Sequence, residues 1–209
     1  MNRAFDYNGV QISPSKPVQK LVKRTRILHI DSGDRDSVFF PNNGSFTLYL
    51  PRAYERVTSI NIKDAEFPSL DKASVWDTTT TTGTPLTAGT DGVPGYFFME
   101  IKELNMSDET AFGADRSALT NSVFAKFVSA IHAEPVIYNE SSNAHQTIEF
   151  FPALTKLDRF QIRLRSHGMP STQYIYWDNL NWSMSLEIET LENAFDEYSS
   201  METRIADRG

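Results

Sequence analysis

The chain has no cysteine among its 209 residues. Without thiols it cannot form disulfides, thiolate zinc sites, iron–sulfur clusters or a cysteine nucleophile, and a reducing compartment suits it best. No stretch approaches the roughly eighteen apolar residues that a membrane-spanning helix needs. Residues 1–17 also lack the apolar core of a secretory signal. We therefore expect a protein that is made in the cytoplasm, does not span a membrane and is not secreted.

The usual signatures of catalysis are also missing from the sequence. The four histidines, His29, His132, His145 and His167, are dispersed and fit no metal-ligand spacing. There is no Gly-x-Ser-x-Gly elbow, no phosphate-binding glycine loop and no dinucleotide fingerprint. We therefore predict that the protein is not an enzyme and has no catalytic residue, no bound cofactor and no metal site.

Two groups of acidic residues could contradict that prediction. Asp31, Asp34 and Asp36 lie within a run of seven residues, but their spacing does not match a calcium loop, and Asp, Gly and Ser are typical of a tight turn. Calcium bound by these three carboxylates is the one metal site that should be tested. Glu187 and Glu189 share one face of a predicted strand, which favours a solvated surface over glycoside chemistry.

Apolar residues make up 40% of the chain and aromatic residues 12%, which is enough to fill the core of one large domain. Their spacing has a period of two, the pattern of half-buried strands bounded by turn residues. The pattern predicts strands at residues 26–31, 45–50, 57–62, 96–101, 123–127, 147–151, 160–165 and 182–188, with 135–138 as a candidate ninth. No helical stretch of ten residues separates these strands, so parallel crossovers are not expected. The prediction is an all-β, antiparallel two-sheet sandwich, and the long connections favour a single jelly roll.

Three segments fall outside the sandwich, which we place at residues 26–190. Residues 71–95 are rich in Thr and Gly and predict a flexible, exposed loop. Residues 1–25 form an extended arm. Residues 191–209 predict a short acidic amphipathic helix, because its apolar residues recur every three or four positions. Those residues are Leu191, Phe195, Tyr198, Met201 and Ile205. This stripe must dock on its own sandwich or on a neighbour, and we favour the neighbour.

Charge is divided unevenly along the chain. Residues 1–26 have a net charge of +5, which leaves −12 for the remainder of a chain whose net charge is −7. The acidic body argues against nucleic-acid binding except through the basic arm. The cations nearest the first predicted strand are Lys16, Lys20, Lys23, Arg24 and Arg26. We interpret these five, with the apolar stripe of the tail, as residues that contact partner subunits.

Several segments of the chain resemble one known family. They are residues 30–36 (IDSGDRD), 40–46 (FPNNGSF), 50–51 (LP), 57–60 (VTSI) and 65–68 (AEFP), followed by 96–104, 123–127 and 157–162. This series resembles the minor capsid proteins of nucleocytoplasmic large DNA viruses, over roughly residues 27–190. Gly33 stands where that family often has Arg or another polar residue.

The resemblance implies a single jelly roll in the virion capsid that binds the major capsid protein and other minor capsid proteins and stabilises the shell. Vertex, cement and staple roles fit it equally, and self-association is compatible with each of them. The alternative is a carbohydrate-binding jelly roll at a vertex, in which Trp177 and Trp182 would stack on a sugar. Core packing and subunit contact are the uses that we favour for these aromatic residues.

Overall fold

The computed structural model is all-β. It describes residues 4–5, 11–12, 21–80, 82–85, 95–102, 104, 123–129, 131, 133–139, 147–166 and 169–193. In these ranges the chain forms the strands β1 (Ala4–Phe5), β2 (Gln11–Ile12), β3 (Leu21–Asp31), β4 (Ser45–Phe67), β5 (Ser74–Asp77), β6 (Thr82–Pro85), β7 (Tyr96–Ile101), β8 (Ala125–Val128), β9 (Val136–Asn139), β10 (Thr147–Arg165), β11 (Gln173–Tyr176) and β12 (Ser183–Asn193). The strand pairings with a described register are all antiparallel, as predicted. The single jelly roll stays a prediction.

The chain divides into two compact units. The larger unit is Thr25–Thr190, and the smaller unit combines Met1–Arg24 with Leu191–Gly209. In the smaller unit, β1 and β2 form a two-stranded antiparallel pair in which Ala4 lies opposite Ile12. The Arg24 Nε atom also lies 3.1 Å from a carboxylate oxygen of Glu192.

One seven-stranded sheet dominates the larger unit. Its order is β3-β12-β4-β10-β7-β8, and β9 pairs with the end of β4. The sheet curls, so that β8 and β9 come into contact although they are not neighbours in the strand order. The rings of Phe127 and Tyr138, one from each strand, lie 5.9 Å apart in an edge-to-face arrangement. Curling lets one sheet surround much of its own core.

The two longest strands, β4 and β10, each unite two strands that the sequence predicts separately. Register shifts between Glu149 and Leu154 and between Leu157 and Arg159 keep them paired without a turn. Pro152 lies in the first of these gaps. A proline has no N–H to donate to the ladder, so its place is at an irregularity of this kind. The periodicity therefore locates the paired halves and not the bulges that join them.

A smaller three-stranded sheet corrects the prediction of a long loop at 71–95. Its order is β11-β5-β6, and Trp76 in β5 faces both Tyr174 in β11 and Gly83 in β6. The ring of Trp76 also meets that of Tyr176 edge to face, with centroids 5.9 Å apart. Residues 74–77 and 82–85 of the predicted loop are therefore strands, residues 78–80 form a turn, and residues 81 and 86–94 lie outside the described residues.

The larger compact unit, Thr25–Thr190, agrees within one residue with the predicted limits of the sandwich, but the strands at both ends run past those limits. β3 begins at Leu21 and not at residue 26, so the last part of the predicted arm is strand. At the other end, β12 continues to Asn193, so Leu191 lies in a strand and does not begin a helix. In both cases pairing between β3 and β12 extends the ladder beyond the apolar alternation. The other four residues of the predicted helical stripe lie outside the described residues.

The core is rich in aromatic side chains. Phe67, at the end of β4, is completely buried and lies between 4.7 and 6.0 Å, centroid to centroid, from four other rings. Those rings belong to Phe97, Phe127, Trp177 and Trp182. Tilted and edge-to-face contacts of this kind stabilise a core beyond the area that they bury. This cluster holds the ends of β4, β7 and β8 against the segment between β11 and β12.

Candidate interaction surface

A tight turn follows β3 and is fixed by its own polar groups. Asp31 accepts a hydrogen bond from the Gly33 N–H at 2.6 Å and so caps the short 3-10 turn Ser32–Asp34. Asp36 then accepts from the N–H groups of Val38 and Phe39, at 3.0 and 3.3 Å. This is the local backbone capping for which Asp is favoured in turns. The carboxylates of Asp31 and Asp36 therefore stabilise the backbone of the turn by accepting its hydrogen bonds.

The Arg35 side chain connects the two ends of the turn through hydrogen bonds. Its guanidinium donates to the carbonyl oxygens of Ser32, Phe40 and Pro41 at 2.7 to 3.1 Å, and to the side chain of Asn181 at 3.3 Å. One planar group thus joins both ends of the turn to the segment before β12. A rigid guanidinium with five donors is suited to this task, and a lysine could not replace it.

The tip of this turn carries two large apolar side chains that point to solvent. Val38 is 87% exposed and Phe39 is 78% exposed, although the backbone beneath them is held by Asp36. Asp34, also exposed, lies on the same turn. Large apolar side chains on a fixed loop make a preorganised contact, because little conformational entropy is lost when they dock. The turn from Asp31 to Phe40 is therefore a candidate contact point.

A buried polar junction supports the turn. Asn43 is almost fully buried, and its amide group donates to the carbonyls of Trp177 and Leu180 and accepts from the Trp177 N–H, at 2.6 to 2.9 Å. The indole of Trp182 donates to the Asn43 carbonyl at 2.9 Å, and its backbone N–H donates to the Ser32 hydroxyl. We call these residues, with Ser32 and Gly44, the Asn43 junction. They connect β3, β4, β11 and β12.

Gly44 is required in the junction by close packing. A Cβ atom at this position would collide with the backbone carbonyl of Ile175. Both backbones approach here because the Gly44 carbonyl accepts a hydrogen bond from Leu164 on one side while β11 passes on the other. A residue with any side chain would have to move a strand.

The two tryptophans considered for sugar stacking lie inside the protein. Trp177 and Trp182 are both essentially inaccessible, and each indole N–H is donated to a carbonyl, of Ser69 and of Asn43 respectively. A stacking platform must present a ring face to the ligand. Because neither ring does so, the carbohydrate alternative loses the two residues on which it rested.

The predicted basic contact residues fall into two groups. Lys23, Arg24 and Arg26 lie in β3, whose surface also exposes Leu21, Val22 and Ile27. Lys16 and Lys20 lie outside the described residues, as do Phe195, Tyr198, Met201 and Ile205 of the predicted tail stripe. The structure thus brings three of the predicted cations onto one strand. Sequence reasoning placed Lys23 and Arg24 in an arm because residues 23–26 are all polar or charged and interrupt the apolar alternation.

The histidines and carboxylates weighed for chemistry do not assemble a site in the described part of the chain. His29 bonds the Ser185 hydroxyl at 2.8 Å, across the β3–β12 pair, and the other three histidines lie outside the described residues. Glu187 lies 3.7 Å from the Lys63 ammonium on the sheet surface. Among the described residues, no group of three or more His, Asp or Glu side chains is placed to hold a metal ion.

Three titrating groups in the smaller sheet depart from their ordinary behaviour. Hydrogen bonds from the side chain of Gln173 and then from Thr79 lower the pKa of Asp77. Burial raises the pKa values of Tyr174 and Tyr176. The carboxylate of Asp178 also contributes to raising the pKa of Tyr176. The largest cause of each pKa shift is a hydrogen bond or burial, so the three shifts follow from packing around the smaller sheet.

Exposed apolar side chains are the feature that sequence reasoning missed. They occur on the turn, on β3, on the middle of β4 and β10, and around β8 and β9. The larger ones are Val38, Phe39, Tyr49, Val128, Ile131, Ile137 and Phe151, with Phe151 fully exposed. Alternation alone does not reveal them, because they stand at outward positions or in bulges where a polar residue is expected.

The chain was compared with known protein families and with curated proteins, and it matches none of them. In the described ranges, none of the elements is a helix long and apolar enough to cross a membrane. The function must therefore be argued from the surface itself.

Proposed function

We propose that the protein is a structural component of a virus particle, a minor capsid protein that binds neighbouring shell subunits. The observation that carries this proposal is the set of large apolar side chains that the strands and a fixed turn expose to solvent, above all the adjacent Val38 and Phe39. Adjacent exposed apolar side chains indicate a protein contact site more strongly than single ones do. The sequence resemblance to minor capsid proteins supplies the class of assembly.

The finer fold assignment belongs to the same proposal. We infer that the curled seven-stranded sheet and the three-stranded sheet are the two layers of a single jelly roll. Antiparallel pairing, long connections between distant strands and an aromatic core all support this assignment. A jelly roll closes most of its edges and leaves its loops and outer faces for subunit contacts.

Three kinds of partner follow from this proposal: the major capsid protein, other minor capsid proteins and further copies of the same chain. The contacts would be made by exposed apolar groups such as Phe39, Phe151 and Ile137. Central apolar anchors inside a polar rim are the usual source of binding energy in protein interfaces. A vertex, cement or staple position is compatible with this surface.

The proposal is tested by locating the protein in purified particles of the virus that encodes it. We expect mass spectrometry to detect the chain in washed particles, and chemical cross-linking to join its surface lysines, such as Lys126 and Lys156, to the major shell protein. The virion role is wrong if the protein is abundant in infected cells and absent from washed particles.

Two deletions sharpen this test for the predicted arm and tail. Because β3 begins at Leu21 and β12 ends at Asn193, the deletions should remove residues 1–20 and 194–209 and leave both strands complete. If these segments bind partners, each shortened protein will melt at a nearly unchanged temperature and enter particles less efficiently. Normal incorporation of both would overturn the assignment of contacts to the arm and the tail.

A further inference from the structure

The dipeptide Asn–Gly occurs twice in the chain, at Asn8–Gly9 and at Asn43–Gly44. An asparagine that precedes glycine is especially prone to lose its side-chain amide, because glycine has no side chain to hinder the attack of its backbone nitrogen. The first pair lies outside the described residues. The second pair is the centre of the Asn43 junction, so the fold determines whether it can react.

The reaction has two steps and consumes only water. In the first step, the backbone nitrogen of Gly44 attacks the Asn43 Cγ atom and the bond between Cγ and Nδ2 breaks. The amide leaves as ammonia with the proton of the Gly44 nitrogen, and a five-membered succinimide ring remains. In the second step, water adds to one of the two ring carbonyls, and the ring opens to aspartate or to isoaspartate.

The folded junction opposes the first step. The Asn43 Nδ2 atom donates hydrogen bonds to the carbonyl oxygens of Trp177 and Leu180, at 2.8 and 2.6 Å, and both must break before ammonia can leave. The Oδ1 atom accepts from the Trp177 N–H at 2.9 Å. The backbone carbonyl of Asn43 accepts the indole N–H of Trp182, also at 2.9 Å. Asn43 is only 1% exposed, so the water of the second step is excluded as well.

Neither product fits the closed junction. Aspartate places a carboxylate oxygen where Nδ2 donated, so that oxygen faces the carbonyls of Trp177 and Leu180 without a hydrogen between them. A buried carboxylate in these surroundings costs more than the loss of a neutral hydrogen bond. Isoaspartate lengthens the backbone by one carbon before Gly44. That residue has no room to move towards β11, since even a Cβ atom would collide with the Ile175 carbonyl.

From these observations we propose that Asn43–Gly44 is a one-way modification site controlled by the fold. The Asn43 amide persists while the junction is closed and is lost when the junction opens. Its products then prevent the junction from closing again. A chain whose junction has opened for long enough is therefore permanently altered and leaves the folded population. This inference is independent of a role in a virus particle.

The first experiment follows deamidation of the full-length protein by peptide-mapping mass spectrometry. Samples are kept in native buffer and in denaturing urea, at the same pH and temperature. In urea, Asn43 and Asn8 precede the same residue and should react at comparable rates, so Asn8 calibrates the unfolded chain. Native buffer should slow the reaction of Asn43 at least about a hundredfold, which corresponds to about 2.7 kcal/mol of opening free energy.

Two variants test whether opening of the junction controls the rate. Phe67→Ala removes a ring that packs against both Trp177 and Trp182, so it should raise the native deamidation rate of Asn43 at least about tenfold. Phe151→Ala, the same change at a fully exposed ring, should leave the rate unchanged. If Phe67→Ala does not fold, wild-type protein in urea below its unfolding midpoint takes its place, and the rate should rise with the urea concentration.

A third measurement tests the products. Asn8→Gln protein is deamidated in urea, so that Asn8 does not contribute, and is returned to native buffer. Chains that carry aspartate or isoaspartate at position 43 should melt at a lower temperature than untreated Asn8→Gln protein passed through urea briefly. Asn43→Asp, which reproduces one of the two products, should melt no higher than Asn43→Ala.

Four results would each overturn the inference. They are no reaction of Asn43 in urea, equal rates for Asn43 in native buffer and in urea, the same native rate with and without the destabilising change, and a deamidated protein that melts like the untreated one. Absence of the protein from virus particles would contradict the proposed function and leave this modification site standing.

Discussion

Strands β4 and β10 run through two regions that differ sharply in burial. At one end they frame the Asn43 junction, where aromatic rings are inaccessible and polar groups bond to the backbone. In the middle the same two strands pass through register shifts, and Phe151 stands fully in solvent. Phe67 and Phe151 thus belong to the same sheet and meet opposite surroundings. The first region specifies the fold, and the second is available for contact.

The largest contrast is expected between two Phe→Ala substitutions. Phe67→Ala should lower the free energy of unfolding by about 4 kcal/mol, because it leaves a cavity among four rings. Phe151→Ala should change it by less than about 0.5 kcal/mol. Urea unfolding followed by tryptophan fluorescence measures both. Equal losses would mean that the exposed middle of β10 is packed after all.

A second contrast compares neighbouring asparagines. Asn43→Ala removes three hydrogen bonds, two of them fully buried, and leaves their partners unsatisfied, so we expect a loss of about 3 kcal/mol. Asn42→Ala removes one hydrogen bond, to the hydroxyl of the buried Tyr174, and should cost about 1 kcal/mol. Both values come from the same unfolding experiment. A larger loss of unfolding free energy for Asn42→Ala than for Asn43→Ala would contradict the central role of Asn43 in the junction.

A third contrast concerns backbone conformation in the exposed region. Arg56 has a φ angle of +52°, which costs a residue with a side chain about 1 kcal/mol relative to glycine. Arg56→Gly should therefore raise the melting temperature or leave it unchanged. Arg52→Gly, in the same strand at ordinary angles, should lower it, because glycine weakens a strand. A lower melting temperature for Arg56→Gly alone would show that its side chain contributes more than its backbone strain costs.

The smallest expected effect is a dependence on pH at the three-stranded sheet. The pKa of Asp77 is lowered in the folded protein by hydrogen bonds from Gln173 and Thr79. Its contribution is therefore complete above the unfolded-state pKa of about 3.9 and is lost as the pH falls through the lower folded value. Melting curves between about pH 2 and about pH 6 should fall less steeply for Asp77→Asn than for the wild type. Identical slopes would remove Asp77 from the acid response.

The sequence predicts the described strands well where side chains alternate between buried and exposed. It predicts them poorly where contacts with distant strands determine the structure. Strand β7 is predicted residue for residue, because Phe97, Met99 and Ile101 face the core. β5 and β6 are missed, since a run of threonine looks like loop until Trp76 and Tyr176 meet across strands. The extension of β3 to Leu21 depends on a partner, β12, that lies far along the chain. Long-range pairing of this kind leaves no local pattern.

The sequence predicts the tight turn of the candidate surface but not the exposed side chains at its tip. The Asp-rich run at 31–36 indicates a tight turn from residue types alone, and the caps at Gly33 and Val38 bear this out. Nothing local indicates that Arg35 bonds three carbonyls or that Val38 and Phe39 remain exposed. The Asn181 side chain, which only the fold brings to this turn, adds a fourth acceptor for the Arg35 guanidinium.

The bond between Ser32 and Trp182 spans 150 residues, and His29 meets Ser185 across 156. During synthesis, β3 therefore emerges from the ribosome long before the strand beside which it lies. β4 also pairs with β12, which is synthesised much later. Because contacts of such high sequence separation are formed late and slowly, the nascent chain must keep its aromatic segments apart until translation is almost finished. A chain released before residue 182 would lack Trp182, which fills the junction, and should be a substrate for chaperones.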